Sequence, residues 1–344
     1  MNIDRLVRTN IQALKPYSCA RDEFKGEAAA YLDANENPLN APYNRYPDPM
    51  QWALKEKIAQ VKAVAPSRIF LGNGSDEPID LLIRVFCEPG RDNIVAIDPT
   101  YGMYRVAADI NNVEYRTVAL GEGFTLEADT LLAATDAATK LVFLCSPNNP
   151  TGNDLDMDQL MRVVERFEGI VVVDEAYIDF SRRESLLRQL DQYPNLVVLQ
   201  TFSKAWGLAA VRLGMAFASE TVVGYLNKVK YPYNINLLTQ NFVSDQLSEV
   251  ERKNDWVDLL LQQRCDLIAR LEKLPMIRQI YPSDANFILV RVDDANAVYH
   301  FLVDQKIIVR NRNSVALCLG CLRITVGLPE ENELLLAALK KFTA

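Results

Sequence analysis

The run Leu196-Val197-Val198-Leu199-Gln200-Thr201-Phe202-Ser203-Lys204-Ala205-Trp206-Gly207-Leu208 places a lysine just behind a β-rich apolar segment, with Arg212 eight residues past the lysine. Small and hydroxyl residues flank the lysine. An amine held in an apolar pocket loses hydration, its pKa falls and it becomes a nucleophile. The competing reading is a strand-end lysine that carries its charge out to water along an apolar stem. The rest of the chain decides between them.

Working outward, apolar β-rich runs alternate with helical patterns from about residue 50 to 230. Strands are expected at 68–71, 93–97, 114–118, 141–145, 170–173, 196–200 and 214–218, and helices at 52–61, 77–87, 101–109, 156–167 and 220–229. Such alternation implies an α/β fold, a mostly parallel seven-stranded sheet flanked by helices, whose ligands collect at the carboxyl ends of the strands. A long helix is expected over 238–274, ending at Pro275. Strands at 287–292 and 321–326 and helices at 295–305 and 330–341 then form a smaller α+β unit. The expected division is an N-terminal arm, 1–30, lying across another subunit or the smaller unit; a large domain, 31–240; and a linking helix with the small domain, 241–344.

Composition narrows the chemistry. The 344 residues carry a net charge of −8, which disfavours a nucleic-acid partner because phosphate backbones require basic surfaces. No apolar run is long enough to span a bilayer and residues 1–10 have no signal-peptide core, so a cytoplasmic protein is expected. Six scattered cysteines fit a reducing compartment, and Cys318-x-x-Cys321 reads as core packing because no second pair accompanies it. The single histidine, His300, sits in an amphipathic helical pattern. A histidine-based triad is therefore disfavoured, and proton transfer must fall to Lys, Tyr, Asp, Glu or Cys.

Each strand end carries candidate chemistry. Gly72-Asn73-Gly74-Ser75-Asp76-Glu77 opens a helix whose free N–H groups suit a phosphate, or it is a plain capped start with Ser75 or Asp76 as the cap. Tyr101, in Asp98-Pro99-Thr100-Tyr101-Gly102, offers a ring face to a flat heterocycle or to the core. Two prolines and a glycine constrain Cys145-Ser146-Pro147-Asn148-Asn149-Pro150-Thr151-Gly152 and leave Asn149 as a fixed amide. Asp174, in Asp174-Glu175-Ala176-Tyr177, can keep a pyridine nitrogen protonated, and Tyr177 can reach a ring oxygen. With Ser203, Lys204 and Arg212, these are the parts needed to hold pyridoxal 5'-phosphate and bond it covalently to Lys204.

On these residues the chain resembles the fold-type I pyridoxal-phosphate aminotransferases over essentially its full length, and among them the histidinol-phosphate aminotransferases. Lys15-Pro16-Tyr17, Asp33-Ala34-Asn35-Glu36-Asn37-Pro38, Asn44-Arg45-Tyr46-Pro47-Asp48 and Cys321-Leu322-Arg323-Ile324-Thr325-Val326-Gly327 carry the closer likeness. The resemblance implies that Lys204 binds the cofactor and moves the substrate proton, and that Asp174 pairs with the pyridine nitrogen. Asn149 and Tyr177 would bond the ring oxygen, Tyr101 would stack on the ring, and Gly74, Ser75, Asp76, Ser203 and Arg212 would hold the phosphate. Tyr46 would reach the cofactor of a second subunit, making a homodimer. Arg310 and Arg323 would bind substrate anions, with Tyr17 and Asn35 lining the substrate side. The implied reaction exchanges an amino group between glutamate and a phosphorylated imidazole ketone. An aromatic amino-acid aminotransferase, a threonine-phosphate decarboxylase and a non-catalytic cofactor-binding regulator are the alternatives.

Overall fold

The computed structural model describes residues 1–18 and 28–342; Cys19 and the rest of the arm up to residue 27 lie outside them. The larger sheet holds β1 (Ile69–Asn73), β2 (Asn93–Asp98), β3 (Glu114–Ala119), β4 (Thr139–Cys145), β5 (Ile170–Asp174), β6 (Leu196–Thr201) and β7 (Leu213–Phe217), in the order β1-β7-β6-β5-β4-β2-β3. All neighbours pair in parallel except β7, which is antiparallel to both β1 and β6. Strands β5 and β6 are buried along their whole length. Their alternate residues enter different cores: Val171, Val173 and Val198 pack on one face, and Ile170, Val172 and Val197 on the other. Burial on both faces explains why these strands read as unbroken apolar runs. The cross-connecting helices are α2 (Trp52–Lys62), α3 (Asp76–Phe86), α4 (Met103–Ile110), α5 (Ala128–Ala133), α6 (Met157–Arg166) and α7 (Glu220–Val229). The N-terminal helix α1 (Thr9–Ala13) and the turn before it lie on this unit. Ile3 and Val7 join its core, and the Arg8 guanidinium pairs with Glu88 at 3.1 Å. Residues 1–14 thus do not lie on the smaller unit.

One expected element is split. The pattern over 238–274 forms two helices, α8 (Leu237–Gln246) and α9 (Val250–Leu271). Between them the Ser248 hydroxyl donates to the Asp245 carbonyl at 2.6 Å, a local bond that competes with helix continuation. The smaller sheet, antiparallel throughout, has the order β10-β11-β9-β8: β8 (Ile277–Ile280), β9 (Phe287–Val292), β10 (Arg310–Asn311) and β11 (Cys321–Thr325). It packs with α9, α10 (Ala295–Asp304) and α11 (Pro329–Lys341) around its own core of Leu267, Leu271, Ile288, Val298 and Leu336.

Candidate functional site

A cavity of about 670 Å³ opens at the carboxyl ends of β1, β2, β4, β5 and β6. Because β7 runs against its neighbours, its beginning lies at this same edge, which brings Arg212 beside Gly74. The Gly74 amide donates to the Arg212 carbonyl at 2.9 Å, and the Arg212 guanidinium reaches the Ala209 carbonyl at 3.2 Å, the Ser203 hydroxyl at 3.5 Å and the Asp76 carboxylate at 3.6 Å. Gly74 has φ +69°, which favours glycine, and a Cβ there would stand 2.5 Å from an Arg212 nitrogen and push the end of that guanidinium aside. Ser75 occupies the cap position of α3 but makes no side-chain capping bond. The first amides of α3 thus face an edge with a nearby cation, a setting that favours an anion.

Asp174 ends β5 and is 2% exposed. Its oxygens accept from the Tyr104 hydroxyl at 2.8 Å and the Ala176 amide at 3.1 Å. Burial pushes its pKa up to about 6, against the lowering pull of those two bonds. Tyr104 is wholly buried and stacks on Phe143 with ring centroids 4.7 Å apart. It was invisible to motif reading because it sits inside a helical pattern, 70 residues from the carboxylate it holds. Tyr101 donates to Asp76 at 3.0 Å and lines the cavity. Asn149 donates to the Tyr177 hydroxyl at 3.3 Å, and its own amide oxygen accepts from Arg323 at 2.5 Å. Buried Asn148 fastens that loop by donating to the Pro99 carbonyl at 2.9 Å and the Thr151 hydroxyl at 2.8 Å. Glu175 points away from the cavity into a buried ion pair with Arg183 at 3.1 Å.

Lys204 departs from expectation in one respect: its side chain is exposed rather than buried. It lines the cavity, with Nζ 5.6 Å from the Tyr177 ring centroid. A cavity this wide admits water along one side of the amine, while the walls still displace much of its hydration. That loss of solvation, followed by repulsion from Arg323, lowers its pKa, with Asp174 and Asp76 opposing. Gly74, Ser75, Asp76, Tyr101, Asn149, Asp174, Tyr177, Ser203, Lys204, Arg212, Arg310 and Arg323 all line this cavity. Tyr17, Asn35 and Tyr46 do not; Tyr17 is 72% exposed, and Tyr46 stacks on Tyr233 at 4.4 Å. Arg312, which the motifs did not indicate, does line the cavity. Cys318 and Cys321 are buried, free thiols whose pKa values burial raises, and they pack in the core behind the arginines. His300 lies exposed on α10, outside the cavity.

This sheet, with a lysine, a buried carboxylate and an anion-binding helix end on one edge, is the architecture of a fold-type I pyridoxal-phosphate enzyme. Residues 23–339 match the family "Aminotransferase class I and II", and the chain belongs to that family. It is 59% identical over 341 residues to a histidinol-phosphate aminotransferase of Bacteroides thetaiotaomicron, covering 99% of both chains, and 57% identical to one of Parabacteroides distasonis, covering 97% of both. Among solved structures, the fold matches the histidinol-phosphate aminotransferase of Clostridium acetobutylicum with TM-score 0.80, at 22% identity over 87% of this chain and 90% of that one. It also matches the Sinorhizobium meliloti enzyme in complex with pyridoxal-5'-phosphate with TM-score 0.79, at 24% identity over 86% and 82%. Among the described residues no helix is long and apolar enough to cross a membrane.

Proposed function

We propose that this chain is a cytoplasmic histidinol-phosphate aminotransferase that exchanges an amino group between L-glutamate/2-oxoglutarate and imidazole acetol phosphate/L-histidinol phosphate. The observation that carries the reading is that Lys204, Asp174 and the Asn149–Tyr177 pair share one cavity with arginines supplied by the smaller sheet, Arg310 and Arg323 among them. The high identity to relatives bearing that name supports the substrate pair.

The residues fit pyridoxal 5'-phosphate. The uncapped start of α3, the space left by Gly74, and Arg212, Ser203, Ser75 and Asp76 suit its phosphate. Buried Asp174, held by Tyr104, suits a protonated ring nitrogen, and Asn149 and Tyr177 suit the ring oxygen. Tyr101 offers its face to the ring. Bound there and joined covalently to Lys204, the group supplies an electron sink for the bonds at substrate Cα.

The protein's own work is then positional and protonic. The lowered Lys204 pKa leaves a larger neutral fraction of amine to take the proton from substrate Cα and return it. Asp174 stabilises positive charge on the ring from a site closed to water. Arg310 and Arg323 hold the substrate's phosphate or carboxylate by charge-assisted hydrogen bonds, and Tyr17 and Asn35, outside the cavity of the single chain, close the substrate side in the assembled enzyme. A homodimer in which Tyr46 reaches the second subunit's cofactor is part of the proposal.

Lys204→Ala is expected to lose turnover and the visible absorbance of protein-bound cofactor together; retained turnover overturns the reading. Half-reactions with glutamate, then with each acceptor, test the substrates. Preference for phenylpyruvate over imidazole acetol phosphate, or CO₂ release from phosphothreonine, overturns the substrate assignment.

A further inference from the structure

Three arginines reach the cavity from the smaller sheet, and the register brings them together. Antiparallel pairing sets Arg310 of β10 directly opposite Arg323 of β11, an arrangement of like charges that weakens a sheet. The Arg312 amide donates to the Cys321 carbonyl at 2.9 Å, so the pairing runs on past β10. Two residues apart on an extended strand, Arg310 and Arg312 share a face, and both line the cavity with Arg323. The connection from 312 to 321 is held in place: the Val315 amide bonds to the Arg312 carbonyl at 2.9 Å, and the Gly320 amide to the Asn313 side chain at 2.7 Å.

These cations have no acids. Among the described residues, Arg8, Arg183 and Arg270 pair with carboxylates, whereas Arg310, Arg312 and Arg323 pair with none. The buried Nε atoms of Arg312 and Arg323 have no hydrogen-bond partner, and Arg323 spends one donor on the neutral Asn149 amide. Burial, then repulsion from Arg323 and Arg310, brings the Arg312 pKa down to about 10, which leaves it cationic at neutral pH; Cys318 and Tyr177 are the opposing groups nearby. Arg310 is exposed and Arg312 and Arg323 are partly buried; gathering these unpaired cations costs stability, and the cost is recovered when a polyanion enters. A phosphate monoester carries close to two charges at neutral pH and three acceptor oxygens, against one charge and two oxygens for a carboxylate.

We propose that Arg312 is a third member of the substrate-anion clamp, and that its guanidinium makes the site select a phosphate monoester dianion over a carboxylate. The inference rests on the aminotransferase reading for its substrate but can fail separately from it.

The test uses cofactor-loaded enzyme, with the glutamate half-reaction inhibited by a simple alkyl phosphate or by the alkyl carboxylate of matching length. In the unaltered protein the phosphate should inhibit more strongly, and increasingly so as pH rises through its second ionisation near about 6. Arg312→Gln should raise the inhibition constant for the phosphate by about 10-fold or more beyond any change for the carboxylate. It should also flatten the pH dependence, and Arg312→Lys should restore part of both. Equal effects on the two inhibitors, an unchanged pH dependence, or inhibition that displaces the cofactor and bleaches its absorbance would each overturn the proposal. Selective phosphate inhibition without turnover of imidazole acetol phosphate would leave the clamp standing and sink the substrate assignment instead.

Discussion

Asp174→Asn removes the charge that the fold buries most completely beside the cavity, and the structure sets the size of the response. Burial moves the Asp174 pKa from 3.8 to about 6, a shift of about two units, or roughly 3 kcal/mol at 1.36 kcal/mol per unit. The folded protein binds this proton more tightly than the unfolded chain. The stability it contributes is therefore full below about pH 4, is lost as pH rises through about 6, and changes little above that. Asparagine does not titrate. It can still accept from Tyr104 or from the Ala176 amide, but its extra N–H groups meet a site built from donors, at a cost of about 1–3 kcal/mol. In cofactor-free protein the variant should be the less stable at pH 4. It should gain about 3 kcal/mol relative to the unaltered chain by pH 8, reaching parity or better while losing activity. Urea unfolding across that range reads the difference directly. A gap that stays constant within about 1 kcal/mol would refute the claim that Asp174 ionises at a cost to folding.

Tyr104→Phe keeps the stack on Phe143 and deletes the hydroxyl that holds the Asp174 carboxylate. Because that bond lowers the Asp174 pKa, its loss should move the acid limb of the kcat/KM profile about one unit or more to higher pH; an unmoved limb would show that the hydroxyl does not support the ionised carboxylate. Gly74→Ala sets a Cβ 2.5 Å from an Arg212 nitrogen at a φ of +69°. Beyond about 1–2 kcal/mol of backbone strain, it should weaken cofactor affinity by about tenfold or more in a fluorescence titration. Undiminished affinity would remove the phosphate from this helix end.

Much of the site was legible because it lies at strand ends. In a sheet covered on both faces, functional side chains reach solvent without disrupting a core at the strand ends, and most of this site lies in the loops after the strands. Asp174 and Asn149 therefore announced themselves as polar residues closing apolar runs. Tyr104 could not, since its meaning depends on α4 laying its inner face beside β5. Arg312 was hidden for a related reason: β10 has only two residues, too few for periodicity to register, and its pairing with β11 is what gathers the three arginines. The exposure of Lys204 is set by the width of the cavity, a property of both units together.

The sequence by itself determined the alternating apolar pattern and the order of motifs along the chain, because burial on two faces and turn chemistry act locally. The tertiary structure decided the reversal of β7 that brings Arg212 to Gly74. It also decided the packing that joins Tyr104 to Asp174 and Arg323 to Asn149. Those are contacts between residues far apart in the chain, fixed by how sheets and helices close around shared cores, and no short window of sequence carries them.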